Sequence, residues 1–155
     1  MTTKQYILET IKKRPLIIDG AMGTQLQQRD DKIPKEAWEG NEGCNELLNV
    51  TAPDIMNEIF HAYLTAGADF ITPNTFGSFS WVLDEYNIAD RAYELTRAGA
   101  ELVKNSVKLF PHRSIPVFVL AQSDREQSFH HSDILPMMRC MQDIRNFVSP
   151  LLTAE

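Results

Sequence analysis

The sequence is poor in the features that mark several large protein classes. It has two cysteines, Cys44 and Cys140, in 155 residues, too few for a disulfide framework or a paired CxxC metal site. It lacks an apolar run near the roughly 20 residues that a membrane span needs. Its first residues lack the apolar core of a signal peptide. These absences predict a cytoplasmic protein with no membrane partner.

Positive charge is also scarce. The chain carries 15 Lys and Arg against 21 Asp and Glu, a net charge of −6. Nucleic acids and anionic membranes favour basic patches, so we expect no nucleic-acid partner. The apolar fraction of 43% and charged fraction of 23% are those of a globular chain, and the length fits one domain.

Three short apolar runs alternate with helical patterns. The runs are residues 16–18, 68–72 and 115–119. Apolar runs without alternation suit parallel strands that are buried on both faces. A helix-like lead, residues 4–13, precedes the first run and ends before Pro15.

Two longer helices are predicted between these runs. The first starts at residues 51–54 with a hydroxyl cap and an early proline, and Gly67 is the expected stop. The second covers residues 90–109. The expected inward residues of the first helix are Ile55, Ile59, Phe60, Tyr63 and Ala66, and those of the second are Ala92, Leu95, Gly99, Leu102, Val103 and Val107.

The order strand, helix, strand, helix, strand predicts an α/β fold with a parallel sheet. Either a doubly wound sheet or a (β/α)8 barrel begins in this way. A dinucleotide-binding fold would have GxGxxG at the first turn, whereas Gly20 and Gly23 enclose two residues here. The turn therefore does not match a dinucleotide site.

The first predicted strand ends in a candidate binding site. Residues at the carboxyl ends of parallel strands face the active site, and Asp19 is followed there by the small residues Gly20 and Ala21. Their backbone N–H groups can approach a ligand carboxylate, while Asp19 can accept hydrogen bonds from an ammonium group. This combination is what an amino-acid substrate requires. The alternative is that Asp19 is a solvated loop acid or a cap.

The second predicted strand ends in Asn74 and Thr75. Their small hydrogen-bonding side chains are candidates for the same site. The alternative is an ordinary turn, in which asparagine and threonine are common.

Several blocks of residues, in this order, carry a resemblance to a known family. They are residues 16–24, 43–54, 63–69, 74–77 and 93–101. The chain resembles the homocysteine-binding (homocysteine S-methyltransferase) module of the cobalamin-dependent methionine synthases. The resemblance implies the first three or so βα units of a (β/α)8 TIM barrel, incomplete in this chain.

The resemblance also implies a substrate and cofactors. In the family, three cysteines on late strands hold a zinc ion, which binds homocysteine sulfur as a thiolate; those strands have no counterpart here. Cobalamin and methyltetrahydrofolate belong to other domains of the intact enzyme. By position, Asp19, Gly20 and Ala21 would contact the amino-acid end of homocysteine, and Thr75 and Asn74 would line the pocket.

After Val119 the sequence departs from the family, which continues with a glycine-rich turn. We tested a shift of the reading frame from Val119 onward, in which the third base of each codon is joined to the first two bases of the next. Codon degeneracy then permits the string A-G-S-I-G-P-G-T-K-L-P-S-L-G-H-I, which resembles that continuation. Some steps further along this frame leave no freedom, since Met137 followed by Met138 forces Asp. We expect residues 1–119 to be the start of the barrel domain and residues 120–155 an out-of-frame, irregular or disordered tail. The alternative is a genuine divergent ending, and the coding DNA across residues 118–120 decides between them.

Three functions fit these observations. The first is the N-terminal part of a homocysteine S-methyltransferase that is inactive alone, because the zinc-binding half of the barrel is absent. The second is a non-catalytic homocysteine-binding or interaction module. The third is a different small β/α enzyme that binds an anionic ligand at the turn of residues 20–23.

Overall fold

Helices and short 3-10 turns make up most of the protein that the computed structural model describes, which is residues 3–109 and the backbone of residues 118–119. The helices are α1 (Thr3–Ile11), α2 (Met22–Gln27), α3 (Leu48–Thr51), α4 (Pro53–Ala66), α5 (Ser80–Leu83) and α6 (Ala92–Lys108), and the strands are β1 (Phe70–Ile71) and β2 (Phe118–Val119). Short 3-10 turns lie between them at Asp30–Lys32, Lys35–Trp38, Asn45–Leu47, Asp84–Tyr86 and Ala89–Arg91. The predicted tail, residues 120–155, lies outside the described residues.

The strands pair in parallel, as predicted. β1 pairs with β2 so that Phe70 faces Phe118, and on the other side Ile18 forms an isolated parallel bridge with Phe70. The backbone N–H of Asp19 continues this contact by donating to the Phe70 carbonyl at 3.0 Å. The three apolar runs are therefore neighbours, in sequence order.

The strands are much shorter than the sequence predicts. Residues 16–18 form a single bridge rather than a strand, and β1 and β2 have two residues each. Ile17 and Ile18 are 53% and 58% exposed, so the prediction of burial on both faces is wrong for this run. A parallel strand acquires two buried faces only when other elements cover both. The barrel stays a prediction, because the described residues do not form a closed sheet.

An ion pair fixes the first apolar run to the start of β1. The Arg14 guanidinium donates to both carboxylate oxygens of Asp69, at 2.7 and 2.8 Å. The same carboxylate accepts the Ile17 backbone N–H at 2.9 Å, and the Asp69 N–H donates to the Ile17 carbonyl at 2.7 Å. The Asp69 side chain is only 2% exposed. Its hydrogen bonds to Arg14 raise the pKa of that guanidinium.

Helix α4 begins and ends close to the predicted residues. Pro53 is its first residue, and Gly67 ends it with a left-handed φ of 107°, a conformation that glycine adopts without strain. The predicted hydroxyl cap is wrong. Thr51 instead donates to the Leu47 carbonyl at 3.0 Å, and Ala52 occupies the cap position.

The buried face of α4 is rotated from the predicted one. Ile59 and Phe60 are buried as expected, but Met56 and Leu64 join them, while Ala66 is exposed and Ile55 and Tyr63 are partly buried. The buried residues follow i, i+3, i+4 spacing from Met56 and belong to the main core. That core contains Leu26, Ile33, Ala37, Leu48, Ala52, Met56, Ile59, Phe60, Leu64, Ala68, Ile71 and Val103.

Helix α6 has the predicted inward face. Leu95, Gly99 and Val103 are buried, and Ala92, Leu102 and Val107 are partly buried. Helix α6 packs against α3 and α4, and Gly99 in its middle lies close to Asn49 and to Thr75, which follows β1. In the described part of the chain, no helix combines the length and apolar character needed to cross a bilayer.

Candidate functional site

Asp19 lies at the end of the first apolar run, and its carboxylate is held by the residue after β1. Thr72 donates its backbone N–H to one oxygen at 2.7 Å and its hydroxyl to the other at 2.7 Å. The residue is partly buried, and burial raises the pKa of Asp19 although the Thr72 hydrogen bonds oppose the shift. Asp19 is therefore a fixed, partly desolvated acid.

Gly20 and Ala21 lie directly against a tyrosine of α4. The Tyr63 hydroxyl donates to the Ala21 carbonyl at 3.2 Å. A Cβ atom at position 20 would lie 2.9 Å from the Tyr63 hydroxyl oxygen, so the close approach requires glycine or a shift of the ring. Burial, and then the charge of Asp19, raise the pKa of Tyr63. We call this group of neighbouring residues the Asp19 cluster. It consists of Asp19, Gly20, Ala21, Tyr63 and Thr72.

Asn74 lies two residues beyond Thr72 and is 5% exposed. Its side-chain amide donates to the Asn45 carbonyl at 2.7 Å and to the Asn49 side-chain oxygen at 3.2 Å. In return, the Asn49 amide donates to the Asn74 carbonyl at 2.7 Å. In this structure the Asn74 side chain therefore ties the turn after β1 to residues 45–49.

A second contact joins the same two segments. The carboxylate of Glu46, which is 8% exposed, accepts the Gly77 backbone N–H at 2.7 Å. A Cβ atom at position 77 would lie 2.9 Å from that carboxylate oxygen. Asn45, Glu46, Asn49, Asn74 and Gly77 form a second, buried cluster, which we call the Asn74 network.

Thr75 lies between the two points at which the Asn74 network holds the turn. Its backbone N–H donates to the Pro73 carbonyl at 2.9 Å, and its carbonyl accepts the Ser78 N–H at 3.2 Å. Its methyl group lies 2.9 Å from where a Cβ atom of residue 99 would be. Gly99 of α6 therefore gives Thr75 the room for its position.

Of the five predicted site residues, the structure unites Asp19, Gly20 and Ala21 in one cluster. Asn74 and Thr75 follow the adjacent strand and connect to that cluster through Thr72. Sequence analysis missed the residues that hold them: Tyr63, Thr72, Glu46 and Asn49. Glu46 and Asn49 are polar residues three apart around an apolar Leu47-Leu48 pair, and this spacing was the available signal for inward polar contacts.

The described residues do not offer a metal site. Among residues 3–109 and 118–119, no group of three or more His, Cys, Asp or Glu side chains is arranged to hold a metal ion. Cys44 is a buried free thiol, and burial raises its pKa, which disfavours the thiolate that binds metals.

A family profile matches most of the chain. The profile of the homocysteine S-methyltransferases covers residues 16–135. This span includes the Asp19 cluster and the Asn74 network, and it extends past Val119, the residue after which the sequence was expected to depart from the family. The origin of the tail stays a prediction.

Two curated relatives are methionine synthases. The methionine synthase of Mycobacterium leprae is 43% identical over 98 residues, and that of Mycobacterium tuberculosis is 42% identical over 98 residues. Each match covers 63% of this chain and 8% of the relative. The chain therefore spans a small part of the length of the relatives it matches.

A solved structure has a similar fold. The oxidized form of the homocysteine methyltransferase MmuM from Escherichia coli superposes with a TM-score of 0.66 at 15% sequence identity. The superposition covers 93% of this chain and 54% of the other. At this identity the likeness concerns the fold alone. Because the family profile matches more than half of the sequence, the chain belongs to the homocysteine S-methyltransferase family.

Proposed function

We propose that this chain is the N-terminal part of a methionine synthase barrel and that it binds the amino-acid end of homocysteine. The observation that carries the proposal is the Asp19 cluster. It presents a half-buried carboxylate, fixed by two 2.7 Å hydrogen bonds from Thr72, beside two small residues. These residues follow the first apolar run, in which Ile18 forms a parallel bridge with β1, and β/α folds place their ligands at the carboxyl ends of parallel strands.

The cluster has the donors and acceptors that an amino acid needs. Each carboxylate oxygen accepts about two hydrogen bonds, so the bonds from Thr72 leave Asp19 with capacity for an ammonium group. A charge-assisted bond of this kind is stronger than a neutral one. Gly20 has no side chain and Ala21 has only a methyl group, so the ligand carboxylate can approach their backbone N–H groups. In this proposal Thr75 lines the pocket and Asn74 holds its wall.

Methyl transfer is assigned to the intact enzyme rather than to this chain. The resemblance implies that, in the intact enzymes of the family, zinc bound by three cysteines activates the substrate thiol, and cobalamin and methyltetrahydrofolate supply the methyl group. The described donors do not fit such a zinc site, and the whole sequence has two cysteines. We therefore expect this chain to bind substrate but to form no methionine alone. We place it in the cytoplasm, as the sequence predicts.

Homocysteine binding tests the proposal. Calorimetry on the purified 155-residue chain is expected to show binding of homocysteine, weaker binding of 4-mercaptobutyrate, which lacks the ammonium group, and none of inorganic phosphate. Asp19→Asn removes the negative charge and is expected to weaken homocysteine binding about tenfold or more, since a charged hydrogen bond contributes about 1.5–3 kcal/mol.

The matched control is Glu42→Gln, which removes one negative charge from an exposed loop residue and should leave binding unchanged. Equal affinities for the Asp19→Asn variant and the unmodified chain would remove Asp19 from the site. Binding of phosphate in preference to homocysteine would favour the anion-binding alternative, and methionine formation by the chain would refute the assignment of catalysis to the intact enzyme.

Homocysteine binding is also expected to depend on pH through Asp19. The acceptor of an ammonium group must be ionised, and burial raises the pKa of Asp19 above its ordinary value of 3.8. Affinity should therefore be lost on acidification at a higher pH than an ordinary aspartate would give. The Asp19→Asn variant should lack this transition, and an identical pH profile in both proteins would contradict the assignment.

Stability should change in the opposite direction. A carboxyl group whose pKa is raised on folding stabilises the protein fully below the unfolded pKa, and this contribution is lost as the pH rises through the folded pKa. The unfolding free energy of the unmodified chain, measured relative to Asp19→Asn, should therefore increase as the pH falls from 7 toward about 4.

A further inference from the structure

We propose that Glu46 is a positioning residue for the homocysteine site, acting through the turn of residues 74–77. Its carboxylate fixes the backbone of this turn and so sets the location of Thr75. This inference rests on the proposed function for its ligand. Its structural half concerns the Gly77 backbone and can be measured without any ligand.

The contact between Glu46 and Gly77 is close and specific. The Glu46 carboxylate accepts the Gly77 N–H at 2.7 Å, and both of its oxygens lie within 3.1 Å of where a Cβ atom of residue 77 would be. A side chain at position 77 would therefore displace the carboxylate. The fit requires a glycine in the turn and an acceptor on residue 46.

The other end of the turn is held by the same segment. The Asn49 amide donates to the Asn74 carbonyl at 2.7 Å, and the Asn74 amide donates to the Asn45 carbonyl at 2.7 Å. Residues 45–49 thus bind the backbone of the turn before and after Thr75. With both ends of the turn fixed, Thr75 has little freedom to move relative to the Asp19 cluster. Thr72, which belongs to that cluster, directly follows β1 and lies three residues before Thr75.

The use of a carboxylate at this place argues for positioning rather than for stability alone. Burying a charged group costs free energy unless hydrogen bonds compensate for it. Glu46 is 8% exposed, and its identified hydrogen-bond partner is a backbone N–H rather than a cation. An apolar side chain would stabilise a buried position more simply, but it could not orient an N–H group.

Amide NMR of the full chain tests the structural half. In the unmodified protein, the Gly77 proton should resonate downfield and exchange slowly, because a charged acceptor shortens and strengthens its hydrogen bond. Glu46→Gln retains a neutral acceptor oxygen and should keep most of this protection. Glu46→Ala should shift the proton upfield, accelerate its exchange about tenfold or more, and move the Thr75 resonances.

Homocysteine affinity, measured on the same proteins, tests the positioning role. Glu46→Ala should weaken binding about tenfold, whereas Glu46→Gln should stay within about threefold of the unmodified chain. Gly77→Ala disturbs the same contact from its other side and serves if Glu46→Ala does not fold. Glu36→Ala, at an exposed acid, is the control and should change neither the Gly77 proton nor the affinity.

Two results would overturn the inference. An unchanged Gly77 resonance in Glu46→Ala would show that the carboxylate does not fix the turn. A changed resonance with unchanged affinity would show that the turn does not position the ligand. Failure of the unmodified chain to bind homocysteine would instead refute the proposed function and with it the ligand half of the inference, while the Gly77 and Thr75 resonances would still decide whether Glu46 fixes the turn.

Discussion

Replacing Asp69 with alanine is expected to lower the free energy of unfolding by about 2–3 kcal/mol, because three hydrogen bonds to a buried carboxylate are lost together. The carboxylate accepts two bonds from Arg14 and one from the Ile17 N–H. Truncation leaves both donors without that acceptor at the place where the first apolar run meets β1. Urea unfolding, followed by far-UV circular dichroism, measures the change.

Two variants make this measurement specific. Glu42→Ala removes an exposed acid and should change the unfolding free energy by less than about 0.5 kcal/mol. Asp69→Asn keeps one acceptor oxygen and should cost less than Asp69→Ala. If Asp69→Ala were no more destabilising than Glu42→Ala, the ion pair would not be what fixes the first run to β1.

The Asp69 contact also shows how much of the fold the sequence could predict. The alternation of apolar runs and helical patterns predicted that the three runs pair in parallel, and Pro53 and Gly67 predicted the ends of α4. Both signals lie within a few neighbouring residues. The length of a strand depends on more distant residues, because it is set by which elements cover Ile17 and Ile18, and residues 16–18 themselves do not contain that information.

The prediction of which face of α4 is buried was wrong for a related reason. Tyr63 and Ala66 fit an apolar stripe by spacing, but the helix is rotated so that Met56 and Leu64 are buried. Tyr63 instead points its hydroxyl at the Ala21 carbonyl. A tyrosine with an apolar ring and a polar end satisfies both environments, so spacing alone could not assign it to the core or to the site.

The candidate site was predictable in part. Asp19 was a candidate because an acid followed by small residues after an apolar run suits an amino-acid ligand, but a loop acid or a cap fitted the same pattern, and it was the family resemblance that favoured the site. Thr72 was not recognisable, since its role is to hold a carboxylate 53 positions away in the sequence. The Asn74 network depends in the same way on contacts between residues 45–49, the turn after β1 and α6.

A double-mutant cycle between Asn49 and Gly99 is expected to show strong coupling. Asn49→Ala should cost about 2–3 kcal/mol of unfolding free energy, because the buried carbonyl of Asn74 loses its donor. The Asn49 amide also donates to the Leu95 carbonyl at 3.2 Å within α6. Gly99→Ala should cost about 1–2 kcal/mol, since overpacking exceeds the gain in helix propensity. The new Cβ would lie 2.8 Å from the Asn49 amide nitrogen and 2.9 Å from the Thr75 methyl group.

The double variant should be more stable than the sum of the two changes predicts, by about 1 kcal/mol or more. Removing the Asn49 side chain gives the methyl group introduced by Gly99→Ala the space it lacks, although the Thr75 contact persists and limits the relief. Asn49→Ala combined with Asn105→Ala, at an exposed position of α6, is the control and should be additive within about 0.5 kcal/mol. Additivity in the Asn49 and Gly99 pair would mean that contact with the Asn49 side chain is not the reason position 99 requires glycine. The requirement would then come from the contact with the Thr75 methyl group.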